Sequence, residues 1–263
     1  MKENRERELD ILHIEEGKRM NTHEFFNAVY HQTEENERLE EYKKGLPIGK
    51  DEGGNILLAQ KREKALMIRN TCVTGAEKTE FIRRLVITLS CLYERDQACF
   101  FVLSPRVEYG ELLRLNSVDI TVPYLRSRED LEKSVETIKE LLRIRATGGG
   151  YSHFFLILDG LEELADAHEN GELEEYRKIY ELLLRKADID VITGVDLAKS
   201  IFAGYPSTFV GVGNCLVTTH ESGKADVTYV EDDSTLSLPV LVEYPDEPTV
   251  MDSIVLLNTL SGN

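Results

Sequence analysis

A chain of 263 residues is long enough to bury a full core, and its formal charge of −17 gives a surface that repels nucleic acid over most of its area. Cys72, Cys91, Cys99 and Cys215 stand far apart with no C-x-x-C pair, and the histidines have no ligand spacing, so a zinc site and a disulfide framework are both disfavoured and buried thiols are expected. No apolar run approaches membrane-spanning length and the start, MKENRERELD, has no apolar signal segment, which makes a cytoplasmic location the expectation.

Residues 1–45 read as an acidic helical arm. A helix capped at Asn21 or Thr22 carries Phe25, Phe26, Val29 and Tyr30 on one face and continues into EENERLEEYKK, which has almost no apolar face. The arm either packs its aromatic half on the main domain or docks a partner. LPIGKDEGGNILLAQ (46–60) predicts a β-hairpin turning at Asp51 to Asn55. ALMIRN then predicts a core strand, TCVTGAEKT a turn, and the spacing of Phe81, Ile82, Leu85, Val86, Leu89 and Leu92 an amphipathic helix.

QACFFVLS is the continuous apolar run of a strand buried on both faces of a parallel sheet, ending at Ser104-Pro105-Arg106. A short helix around Gly110 to Leu115 and a short strand, Ile120 to Val122, come next. Leu131, Val135, Ile138, Leu141 and Leu142 predict a helix from Ser127 to about Arg145, stopped by Thr147-Gly148-Gly149-Gly150. SHFFLILDG (152–160) and DIDVITG (188–194) predict buried strands, with a helix over 172–186 between them. From Ser207 the chain is β-rich (STFVGVGN, CLVTTHE, ADVTYVE, LPVLVEYP), and MDSIVLLNTL predicts a closing helix. The short basic clusters, Lys61-Arg62-Lys64 and Arg143-Arg145, read as solvated ends.

Two places carry chemistry. In G-x-x-x-x-G-K-[ST], backbone N–H groups and a helix N-terminus surround phosphates, the Lys reaches the β/γ-phosphates and the hydroxyl holds Mg²⁺. Lys78 and Thr79 match its end, and Thr74, Gly75 and Ala76 would line the loop, but Cys72 and Glu77 replace both outer glycines. A carboxylate at Glu77 about 4 to 5 Å from a phosphate oxygen, at an effective dielectric near 20, costs about 3 to 4 kcal/mol unless it turns into solvent. Weak or absent binding of ATP and Mg²⁺ is therefore expected.

The second place is Asp159, at the carboxyl end of a central strand, where a nucleotide enzyme holds Mg²⁺ and where an Asp can equally cap the next helix. Gly160 takes the position in which many ATPases carry a general-base Glu, while Glu162 and Glu163 read as solvated helix residues. Thr193, at the end of its strand, is a sensor candidate.

Alternating strands and helices from Ala65 to Val195 predict an α/β fold with a mainly parallel sheet. The order of features resembles the FtsK/SpoIIIE family of hexameric motor ATPases over residues 46 to about 245. The resemblance rests on LPIGKD with Gly54-Asn55, similar to that family's LP-x-G-x-D-x-x-G hairpin, and on the Thr74 to Thr79 loop. It rests further on Ser104-Pro105-Arg106 where the family usually has Asp-Pro-Lys, on Pro123-Tyr124-Leu125, and on LILD ending at Asp159.

It implies a RecA-like domain over 46–263, a nucleotide site by position at Lys78, Thr79 and Asp159, protein partners in a secretion or translocation ATPase complex, and a ring oligomer. Cys72, Glu77 and Gly160 depart together, which is more similar to the degenerate modules of type VII secretion ATPases of the EssC kind than to DNA pumps. The expectation is a pseudo-ATPase module, weak or inactive, working through protein interaction. A working ATPase with Glu163 as base and a purely structural interaction domain are the other readings.

Overall fold

The computed structural model describes residues 45–59, 69–90, 92–93, 96–116, 118–151, 153–165, 189–196, 215–221, 223–232, 235–236 and 239–244. Its strands are β1 (Pro47–Lys50), β2 (Ile56–Leu58), β3 (Arg69–Gly75), β4 (Ala98–Leu103), β5 (Asp119–Thr121), β6 (His153–Asp159), β7 (Ile189–Gly194), β8 (Cys215–His220), β9 (Lys224–Asp232), β10 (Thr235–Leu236) and β11 (Val240–Glu243). The helices among these residues are α1 (Lys78–Ser90), α2 (Arg128–Ala146) and the single turn α3 (Glu162–Ala165), with a 3₁₀ helix at Val107–Arg114.

All the strands join one sheet in the order β2-β1-β11-β9-β8-β3-β7-β6-β4-β5, with β10 on β9. From β8 to β5 every pairing is parallel; from β8 outward through β9, β11, β1 and β2 every pairing is antiparallel. The parallel strands β4 and β7 are buried at every position, as strands covered by helices on both faces must be. Successive side chains alternate between those faces. Phe100 and Val102 of β4 pack with Phe155, Ile157 and the Phe81, Ile82, Leu85 and Leu89 stripe of α1. Phe101 and Leu103 pack on the other face with Leu156, Leu158 and Leu131, Val135, Ile138 and Leu142 of α2.

Local chemistry sets the ends of α2. The Ser127 hydroxyl accepts from the Asp130 N–H at 3.3 Å, Glu129 and Asp130 lie in the first turn and Arg143 and Arg145 in the last, which complements the helix dipole at both ends. The opening hairpin forms as expected, held by the Asp51 carboxylate, which accepts from the Asn55 N–H at 2.8 Å.

The first core strand needs correction. The sequence predicts a strand over Ala65 to Asn70 followed by a nine-residue turn, TCVTGAEKT. Instead TCVTG is strand, and Ala76 and Glu77 alone form the turn. The cause is a ladder on both sides: Arg69 to Val73 pair with β7, and Thr71 to Gly75 pair with Cys215 to Thr219 of β8. β-Branched Thr71, Val73 and Thr74 suit that pleated, buried surface. The short helix after β4 also starts earlier than expected and is 3₁₀.

The predicted arm up to residue 44, the helix over 172–186, STFVGVGN and the closing helix lie outside the described residues. No helix among the described residues is long and apolar enough to cross a membrane.

Candidate functional site

Because β3, β7, β6 and β4 are parallel neighbours, their carboxyl ends line one edge of the sheet, where open α/β folds place ligands. Gly75, Gly194, Asp159 and Ser104-Pro105-Arg106 arrive there together. Gly75 has φ of 102°, and a Cβ at this position would overlap the Thr219 carbonyl. The Thr219 hydroxyl donates to the Thr74 carbonyl at 2.9 Å, fastening the end of β3 to β8. What would be the wide part of a phosphate loop is thus spent in a β-ladder. Thr74 is buried in the strand and Ala76 is exposed in the turn.

Glu77 opens α1: its carbonyl accepts from the Phe81 N–H at 2.9 Å. Its carboxylate does not turn into solvent but accepts from the Tyr244 hydroxyl at 2.6 Å and, more weakly, from the Gly223 N–H at 3.4 Å. Burial, and then the Glu77 carboxylate beside it, push the Tyr244 hydroxyl well above the usual phenol range. Lys78 follows at 9 % exposure, and no hydrogen bond or ion pair joins it to a described residue. A nearly buried ammonium at a helix N-terminus without a carboxylate partner is an arrangement that a neighbouring anion would stabilise.

Asp159 is fully buried. Its Oδ2 accepts from the Thr79 hydroxyl at 2.7 Å and from the Tyr109 hydroxyl at 3.0 Å, and the Arg106 guanidinium stands 3.6 Å away. Arg106 also donates to Glu163 at 2.7 Å. Tyr109 is itself fully buried, and burial first, then the negative Asp159, push its hydroxyl well above the phenol range, so it stays a donor. Two glycines make room: a Cβ on Gly194 would overlap Asp159 Oδ1, and Gly160, with φ of 67°, would bring a Cβ to 2.6 Å from Arg106 Nε. The residue after Asp159 is therefore glycine for a steric and conformational reason, not only as a lost base.

Mg²⁺ demands near-octahedral oxygen ligation at about 2.0–2.1 Å and gives up its waters reluctantly. Thr79 Oγ1 and Asp159 Oδ2, the oxygens that would hold it, are hydrogen-bonded to each other, and the same Oδ2 already serves Tyr109 and faces Arg106. So arranged, Asp159 Oδ2 has its lone pairs engaged and an arginine stands where a cation would approach it, while Oδ1 is buried with no hydrogen-bond partner among the described residues. Lys78 and the start of α1 present a positive end to an anion, without the encircling loop.

Of the sequence candidates, Thr79 and Asp159 meet, and Lys78 sits beside Thr79 at the helix start. Thr193 is buried on β7, level with Cys72 and Leu158, one position short of Asp159. Cys72 is a buried thiol pushed up to about 12 by desolvation. Sequence reasoning missed Tyr109, Gly194, Thr219 and Tyr244, and read Arg106 only as a family position. Its sole local signal was a cation placed directly after a buried strand.

No protein-family model and no curated protein sequence matches this chain. Its fold matches solved structures. The cytoplasmic domain of the Thermomonospora curvata type VII secretion ATPase EccC aligns with a TM-score of 0.55 at 14% identity, over 84% of this chain and 31% of that one. EccC ATPases 2 and 3 of the same organism, in complex with a signal sequence peptide, align with a TM-score of 0.56 at 16% identity, over 77% of this chain and 41% of that one. EssC ATPases 2 and 3 from Geobacillus thermodenitrificans align with a TM-score of 0.52 at 12% identity, over 81% of this chain and 48% of that one. This chain thus spans less than half the length of each. At these identities the likeness is one of fold: the chain has the α/β fold seen in the ATPase domains of these type VII secretion proteins.

Proposed function

We propose that this chain is a degenerate FtsK/SpoIIIE-like module that does not turn over ATP and acts through protein interaction in a translocation or secretion machine. The observation that carries this reading is the Arg106 guanidinium set between Asp159 and Glu163. A carboxylate that would serve a metal already faces a side-chain cation, and the Glu163 carboxylate is tied to the same cation. A general base must reach the proton it abstracts, and Glu163 is held in an ion pair instead. The fold likeness to secretion ATPase domains supports the setting, and the −17 charge supports a protein partner rather than nucleic acid.

The test is a turnover assay on the purified chain with ATP and Mg²⁺. Phosphate release at background level, equal in wild type and Lys78→Ala, is expected. Mg²⁺-dependent turnover near about 1 s⁻¹ or above, abolished in Lys78→Ala, would sink the reading.

A further inference from the structure

We propose that Arg106 is a resident cation standing in for the divalent metal, so that this site takes a phosphate-bearing ligand in its metal-free form. The inference rests on the reading of a module without turnover and names what its altered edge still binds. Two independent features support it. On the metal side, the Thr79 hydroxyl, the Tyr109 hydroxyl and Arg106 all address one oxygen of Asp159, while Glu163 satisfies the far end of the guanidinium. Gly160 and Gly194 are shaped around that arrangement, since a side chain at either would collide with Arg106 or with Asp159. On the anion side, Lys78 is nine-tenths buried with no partner among the described residues. It lies at the start of a 13-residue helix whose first N–H groups precede the Phe81-to-Glu77 bond.

The nearby charges set the ligand's form. Asp159 and Glu163 share Arg106, and Glu77 is engaged by Tyr244, which leaves Lys78 as the cation available to a phosphate. A phosphate that arrives with its charge already screened by Mg²⁺ brings waters and a cation to an edge where Arg106 already stands. The free anion does not.

The experiment is the melting temperature of the full chain titrated with ATP to millimolar concentration, once in EDTA and once in excess Mg²⁺, for wild type, Lys78→Ala and Arg106→Gln. A wild-type rise in EDTA that shrinks in Mg²⁺ and is lost in Lys78→Ala is expected. In Arg106→Gln the order should reverse, with Mg²⁺ now strengthening the shift; if that variant does not fold, the two wild-type titrations decide. A wild-type rise that requires Mg²⁺, a rise that survives Lys78→Ala, or no rise in either buffer would overturn the inference. None of these three touches the proposed function, which falls only to measured turnover.

Discussion

The hydroxyl of Thr79, at the start of α1, donates to Asp159 Oδ2 at 2.7 Å, spanning the strand that separates β3 from β6. This bond ties the start of α1 to the carboxyl end of β6. Tyr109 adds a second tie from the 3₁₀ helix.

Tyr109→Phe removes one donor from a fully buried carboxylate and leaves the ring packing unchanged. Hydrogen bonds to charged groups contribute about 1.5–3 kcal/mol. Urea denaturation should show a lower midpoint with an unchanged slope, which separates a loss of stability from a change in the exposed surface. A midpoint equal to wild type would mean that Thr79 and Arg106 alone satisfy Asp159.

Glu77 and Tyr244 should be energetically coupled, because the Tyr244 hydroxyl donates to the Glu77 carboxylate at 2.6 Å. A double-mutant cycle with Glu77→Gln and Tyr244→Phe is expected to return a coupling of about 1 kcal/mol or more. Additive effects would show that Glu77 is held by its backbone position and not by Tyr244, which follows β11.

Alkaline pH should destabilise the fold through its buried phenols. The hydroxyls of Tyr109, Tyr229 and Tyr244 are all raised above the ordinary phenol value of about 10, each chiefly by burial. Above that pH the unfolded chain loses these protons while the folded chain keeps them. The stability they contribute is fully present below pH 10 and falls as pH rises, by up to about 1.4 kcal/mol per pH unit for each tyrosine. Urea midpoints measured from neutral pH to about pH 11 should show this decline, and Tyr109→Phe should make it shallower.

Gly75→Ala should cost more than Gly54→Ala, although both glycines have positive φ. At Gly54 a Cβ meets nothing within 4 Å, so backbone strain alone applies, about 1 kcal/mol. At Gly75 the Cβ would strike the Thr219 backbone, and β3 and β8 must separate to admit it. Equal thermal shifts for the two variants would contradict the fastening of β3 to β8.

The sequence made the core strands β4 and β6 legible because a strand covered on both faces is written as a continuous apolar run. The helix α2 was legible from its period and its Ser127 cap. The edge was less so. TCVTG carries threonines and a glycine, which suit a turn and a buried β-ladder equally, and its partner Cys215 to Thr219 lies far along the chain. Gly75 resembled a loop glycine, yet it is the place where β3 touches Thr219. Thr79 and Asp159 could be paired from a motif, whereas Arg106 could not, since its reach to Asp159 depends on β4 lying beside β6. Tyr244 and Glu77 meet only because the antiparallel half of the sheet returns the chain to the start of α1.

The opening hairpin has its own dependence on the far end of the chain. β1 joins the sheet through β11, with Lys50 facing Glu243, and its other strand neighbour among the described residues is β2. During synthesis, residues 47–58 can pack on α1 early but cannot pair with the sheet until β11 has emerged. An isolated two-stranded hairpin is marginal in water, and long-range pairings of this kind form slowly. A nascent chain halted before Val240 would carry that hairpin unpaired with the sheet, with Lys224 to Val227 of β9 lacking their β11 partner.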